Sequence, residues 1–366
     1  MPRAMTTSMF LCLGAALARG GPYTEPGING YVHPVTWRHA NPLSADAVLN
    51  PIFRGWATAV VEYAPADQTW LGLGVWNDPT KALGPATGQS FDVVSLGELE
   101  RKEIDQGLPP GSITLAFGPA AIRNGKGYDF AVFENAFISQ FTTQMGSAQG
   151  QMLAELAYVE VSTNGRDFVR FPGVSRTPGP VGPYGTIAIS NIHNLAGKHP
   201  NANGLCTGTP FDLEDLADLP RVRAGIVDLN DIRYVRLVDV PGSGHFFDEA
   251  AGQIDPATGP DWAPYPSNHP IYDMWPTWGS GGFDLEAVGV LHEQEHAADL
   301  NLDGTVNYHD LALLAGAWQS RFGDKRWNGR SDLARPKNLF IDSRDFAVLA
   351  DQWGHIERWR TEFKDE

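Results

Sequence analysis

The sequence predicts a mainly β protein that ends in a small α-helical unit, and three observations support this. Glycine (40) and proline (27) are frequent and aromatic residues make up 11% of the 366 residues, a composition suited to short strands joined by tight turns. Between about residues 21 and 291, runs of Val, Ile, Phe and Tyr alternate with Gly, Pro and Asn clusters. Beyond Asp299 the apolar residues recur at helical spacing instead.

Residues 1–18 carry Arg3, an apolar run over 9–17 and Ala16-Leu17-Ala18 as a small-x-small cleavage site, so they are expected to be a signal peptide. The mature protein is then secreted or held at the cell surface. No later segment reaches the ~20 apolar residues of a spanning helix, so the chain is not expected to cross a membrane. A net charge of -16 excludes the clustered basic surface that nucleic acid requires. Cys206 is left as a single thiol with no basic neighbour in sequence, which predicts a structural role.

Strands are predicted over 58–63, 112–117, 128–133, 157–162, 167–171, 233–238 and 283–288. Asn164 and Gly165 supply the positive φ angles of a hairpin turn between 157–162 and 167–171. Ala157, Val159 and Val161 alternate with polar neighbours, so one face of that strand meets a core and the other solvent or a second layer. The stretches 172–225 and 241–282 read as long loops. The β-rich unit is assigned to 19–291, a linker to 292–298, a compact module to 299–356 and a charged tail to 357–366.

The module contains an internal repeat at an offset of 35 residues, matching Val306 to Ile341, Asn307 to Asp342, Asp310 to Asp345, Leu311 to Phe346, Leu314 to Leu349, Ala315 to Ala350 and Trp318 to Trp353. In the first copy Asp299, Asn301 and Asp303 occupy positions one, three and five of a twelve-residue loop. Gly304 allows the sharp turn, Thr305 offers its carbonyl at position seven, and Asp310 brings a carboxylate at position twelve. Hard oxygen donors in that order are expected to bind Ca²⁺. At the fixed offset the second copy places Ala334, Pro336 and Asn338 at positions one, three and five, which predicts little or no calcium there. The apolar positions at helical spacing predict two helices packed as one small core, with Trp318 and Trp353 structural.

These loop and helix patterns resemble the type I dockerin repeat, whose loops end in Asp. The resemblance implies a cohesin-like partner contacted by loop positions ten and eleven, here Tyr308, His309, Ser343 and Arg344. Those residues depart from the cellulosomal Ser-Thr pair, so a calcium-clamped surface-association module is the competing implication.

In the β-rich unit, the phrases at 127–135, 157–162 and 281–289 are similar to predicted bacterial cell-surface proteins and to galactose-binding-like jelly rolls. That resemblance implies a jelly-roll-like β-sandwich that binds carbohydrate. A second calcium site is expected from Asp129, Glu134, Asn135, Asp239 and Asp284, and stacking on a glycan from Trp262, Tyr265, Tyr272, Trp275 and Trp278. His292-Glu293-Gln294-Glu295-His296 matches the HExxH zinc pattern, but it follows a strand and lacks the apolar helix that zinc proteases need. The leading expectation is a secreted or surface-held, non-catalytic protein that binds a glycan or another surface component. The alternative is an extracellular polysaccharide hydrolase using two of Asp129, Glu134, Glu155, Glu160, Asp239 and Asp284.

Overall fold

The computed structural model describes residues 21, 23–66, 76–118, 120–249, 268–277, 281–334 and 337–357. The expected signal peptide, Trp262, Tyr265, Trp278 and Pro336 lie outside the described residues.

Two antiparallel sheets dominate. Their strands, numbered along the chain, are β1 (Ile28–Asn29), β2 (Gly55–Trp56), β3 (Ala59–Ala64), β4 (Val94–Ser95), β5 (Ser112–Ala116), β6 (Phe130–Glu134), β7 (Leu156–Ser162), β8 (Val169–Arg170), β9 (Thr207–Phe211), β10 (Tyr234–Val240) and β11 (Asp284–Val290). The first sheet runs β1-β9-β6-β11-β2, with β4 also paired to β11. The second runs β8-β7-β10-β5-β3. Phe130, Val132, Leu285 and Val288 of the first sheet share one apolar core with Ile113, Leu115, Val159, Val161, Val235 and Leu237 of the second.

The central strands are buried along their whole length because each face has its own cover. Alternation sends Phe130 and Val132 into the shared core, while Ala131 and Phe133 pack against Phe53, Cys206 and Ala287. In β7, Ala157, Val159 and Val161 face the shared core, and Leu156 and Tyr158 join a second cluster with Ile192 and Leu195. Ile192 and Leu195 from the stretch 172–225 and Ile271 from 241–282 supply the extra layer that the alternation left open, although 172–225 is not wholly loop, since it contains β9 of the first sheet. Cys206 is fully buried and burial raises its thiol pKa strongly, in keeping with a packing role.

The predicted hairpin forms, with Glu160 opposite Arg170 and Val161 opposite Val169, but of the two turn residues only Gly165 takes a positive φ, while Asn164 Oδ1 accepts the N–H groups of Arg166 and Asp167. Gly165 sits at φ +74, where an alanine would carry its Cβ in the left-handed region. Gly165→Ala is therefore expected to cost about 1–2 kcal/mol in urea unfolding.

The C-terminal unit has a separate core of Ala298, Leu300, Val306, Leu314, Ala317, Leu333, Ile341 and Leu349. Its helices span Tyr308–Gly316 and Ser343–Asp351. Each starts with the same device: Asn307 or Asp342 accepts an N–H from the first turn, and Asp310 or Asp345 accepts the cap residue's own N–H. The repeat is realised as an exchange. Thr305 pairs with Ile356 after the second helix, and Phe340 pairs with Arg321 after the first. Val306 N–H donates to His355 O at 3.0 Å, and Gln319 N–H donates to Ile341 O at 3.0 Å. Each half thus completes the other's backbone pairing, which ties the two loops into one folding unit.

The segment expected to be a linker is anchored. Glu293–Gln294 forms a short strand against Ala121–Ile122, and Lys337 reaches Asp231 at 3.6 Å and Asp228 at 3.8 Å. His292 and His296 consequently do not share a helical face: His292 Nδ1 lies 2.7 Å from Asp129, and the His296 ring lies 4.6 Å from that of His355. The HExxH spacing here belongs to a strand.

Candidate functional site

The first C-terminal loop is shaped by its own carboxylates. Asp299 accepts the N–H of Gly304 at 2.8 Å and of Asp303 at 3.1 Å. Asp303 accepts the N–H of Thr305 at 2.9 Å, and Asp310 accepts those of Asn301 at 3.1 Å and Asn307 at 2.8 Å. Gly304 stands at φ +82, as the turn requires. Burial raises the pKa of Asp299, with Asp310 and Asp303 adding to it. The donor set is three carboxylates, the Asn301 amide oxygen and the Thr305 carbonyl: all oxygen, and suited in type and number to Ca²⁺.

The second loop corrects the fixed-offset alignment. Asp332, not Ala334, takes the place of Asp299, accepting the N–H of Leu339 at 3.0 Å as Asp299 accepts that of Gly304. Leu339 repeats the left-handed turn at φ +59. Asn338 accepts the Phe340 N–H at 2.9 Å, the role of Asp303, and Asp345 accepts those of Ala334 at 2.9 Å and Asp342 at 2.7 Å, the roles of Asp310. The second loop is therefore two residues longer than the first. Asp332 is buried, and its Oδ1 has no hydrogen-bond partner. Burial also raises its pKa. Only position three lacks a side-chain oxygen, since Ala334 stands there.

Tyr308, His309 and Arg344, at loop positions ten and eleven, are exposed. Trp318 packs on the small core, whereas Trp353 is 40% exposed with its ring 5.0 Å from that of Tyr308.

A second concentration of carboxylates caps one end of the shared core in the β-rich unit. Glu134 closes β6, Glu155 precedes β7, Asp239 lies near the end of β10 and Asp284 opens β11; antiparallel pairing joins the ends of β6 and β11 in one sheet and of β7 and β10 in the other, and packing of the sheets on one core brings the two pairs together. Glu98 and Asp273 join them from loops. Thr277 Oγ1 lies 3.0 Å from Glu98 Oε2 and 2.9 Å from Glu155 Oε1, while Phe283 N–H donates to Asp239 at 2.8 Å and Leu156 N–H to Asp273 at 2.7 Å. Burial raises Glu98 and Asp239 to about 8 and Asp284 to about 7. Burial, followed by the charge of Asp284, raises Glu134 and Glu155 well above the ordinary range.

Asp129 does not belong to this group. It precedes β6 at the opposite end from Glu134, where it accepts the N–H groups of Gly125 and Leu213, each at 2.7 Å, and faces His292. Five residues of extended chain separate the two carboxylates, about 17 Å. Glu160 is likewise engaged, with Arg170 at 2.8 Å and Arg236 at 3.3 Å. Of the expected aromatic platform, Tyr272 lies against Gly244, and Trp275 Nε1 donates to Leu99 O at 3.1 Å. Both anchor loops.

No family model and no curated protein matches this chain. Among the described residues, no three His, Cys, Asp or Glu side chains are gathered as a ready metal cage, and no helix is long and apolar enough to cross a membrane.

Proposed function

We propose that the chain is a secreted or cell-surface binding protein, without catalysis of its own, that attaches to a partner through a calcium-dependent C-terminal module of dockerin type. The observation that carries this reading is the pair of Asp-anchored loops, Asp299 to Asp310 and Asp332 to Asp345, joined by exchanged backbone pairing. Calcium would be held by Asp299, Asn301, Asp303, Asp310 and the Thr305 carbonyl, and would replace mutual repulsion among buried carboxylates with attraction. The exposed Tyr308, His309, Ser343 and Arg344 would then be presented to a cohesin-like partner by two rigid helix starts.

The β-rich unit, read as a jelly-roll-like sandwich, would offer a glycan or another surface component its loop face. A glycan array on the full chain, run beside a reducing-sugar release assay, tests this half. Retention of a glycan without sugar release supports binding; release that disappears in Glu155→Gln supports the hydrolase instead. The two tail loops differ in donor number, so calorimetry is expected to resolve a tighter and a weaker calcium event in the tail, with the weaker one lost in Asp332→Ala.

A further inference from the structure

We propose that the acidic end of the shared core is a divalent-cation site, with Glu134, Glu155, Asp284 and the Asn135 amide oxygen as ligands and calcium as the ion they select. Five side-chain oxygens gathered there have no hydrogen-bond partner although they are buried: Glu134 Oε2, Asn135 Oδ1, Asp239 Oδ2, Asp273 Oδ1 and Asp284 Oδ1. Unpaired buried acceptors are rare in folded proteins, and costlier still when charged. Glu134 is 3% exposed and Asp284 5% exposed.

The charges acting on these carboxylates are those of one another. Glu134 feels Asp284 and Asp273; Glu155 feels Asp284, Glu98, Glu134 and Asp273. None of the six enters an ion pair with a described Lys, Arg or His that would offset this, in contrast to Glu160 with its two arginines. Thr277 Oγ1, within reach of both Glu98 and Glu155, has a single proton to give. A divalent ion discharges two carboxylates at once and supplies the missing partner for several oxygens.

There is also a route and a space. A cavity of about 190 Å³ is lined by Glu134, Asn135, Glu155, Thr277 and Asp284, with Phe137 and Tyr184 among its walls. Neither histidine nor cysteine lines it, which disfavours zinc and copper. Hard oxygen donors without octahedral order suit calcium better than magnesium. The β-bulge between Leu285 and Ala287 lies beside Asp284, a placement that commonly re-aims side chains at sites. Because the side chains are not drawn into a cage, ion entry must pull Glu134 and Asp284 of one sheet toward Glu155 of the other, which makes the ion a clamp between sheets.

The test is the number of calcium ions per full-length chain by native mass spectrometry after equilibration with calcium, for the wild type and for Glu134→Gln and Asp284→Asn. Both substitutions keep shape and remove charge. Each variant is expected to carry one ion fewer than the wild type and to lose the rise in melting temperature that calcium gives the β-rich unit. In chelator, each should melt at or above the wild-type temperature, because repulsion has been removed; this shows that the lost ion is not lost fold. The count is a difference between chains with identical tails, so it is independent of how many ions the tail loops take. Variants that retain the wild-type ion count, or a β-rich unit whose melting ignores calcium, would overturn the proposal.

Discussion

Asp299→Ala is expected to abolish calcium binding at the first loop and to unfold the whole C-terminal unit, not only its first half. Asp299 does two things at once: it fixes the turn through the Gly304 and Asp303 N–H groups, and it is the position-one ligand. The exchange of pairing between Thr305 and Ile356, and between Phe340 and Arg321, means that neither half keeps its backbone partners alone. A ligand present at a hundred times its dissociation constant contributes about 2.7 kcal/mol to stability. A unit of this size has little stability beyond that. The far-ultraviolet circular dichroism of the variant in calcium should match that of the wild type in chelator.

The second large effect lies at Glu25, in the N-terminal segment that crosses Lys198 and His193. Glu25→Ala is expected to destabilise the β-rich unit by about 3–5 kcal/mol, because it leaves the Lys198 ammonium buried without its counter-charge. Lys198 is 1% exposed and its Nζ lies 2.5 Å from Glu25 Oε1, with His193 on the same carboxylate at 3.1 Å. Burial alone would raise Glu25, but the hydrogen bonds from His193 and Lys198 overcome it and hold its pKa at about 2. A lowered acid contributes stability above its unfolded value of 4.5 that is lost as pH falls toward about 2. His199, buried beside this segment, is lowered mainly by burial to about 4, so its contribution is complete above 6.5 and lost as pH falls to about 4. The stability difference between the wild type and Glu25→Ala should therefore be complete above pH 4.5 and close as pH falls toward about 2, since the groups the two chains share cancel in the comparison. Urea unfolding of both chains across that pH range reads it.

Much of this was legible in the residues. Six of the predicted strand runs coincide with β3, β5, β6, β7, β10 and β11 within two residues, because each alternates or concentrates β-branched and aromatic residues between turn formers. The run at 167–171 shortens to β8 because Arg166 and Asp167 are taken up by turn bonds to Asn164. The helical repeat was legible because core positions and capping aspartates recur at one offset. The second loop was not, since its two extra residues break that offset exactly where the first ligand stands, and only the backbone shows Asp332 facing Leu339.

The acidic cap was half legible. Glu134, Asn135, Asp239 and Asp284 could be grouped by residue type, but which end of a strand each occupies depends on pairing direction, so Asp129 was grouped with them wrongly. Glu98 and Asp273 carried no signal at all: both come from loops, and neither has a motif around it. Their proximity is a product of tertiary packing.

The central claim is that oxygen donors in the duplicated tail take up calcium and fold around it. Hydrogen exchange of the full chain in calcium and in chelator tests it most directly, at the amides of Gly304, Asn307, Leu339 and Asp342, which the Asp299, Asp310, Asp332 and Asp345 carboxylates accept. The account predicts strong slowing of exchange at all four in calcium and rapid exchange in chelator. Equal exchange in the two conditions would contradict it.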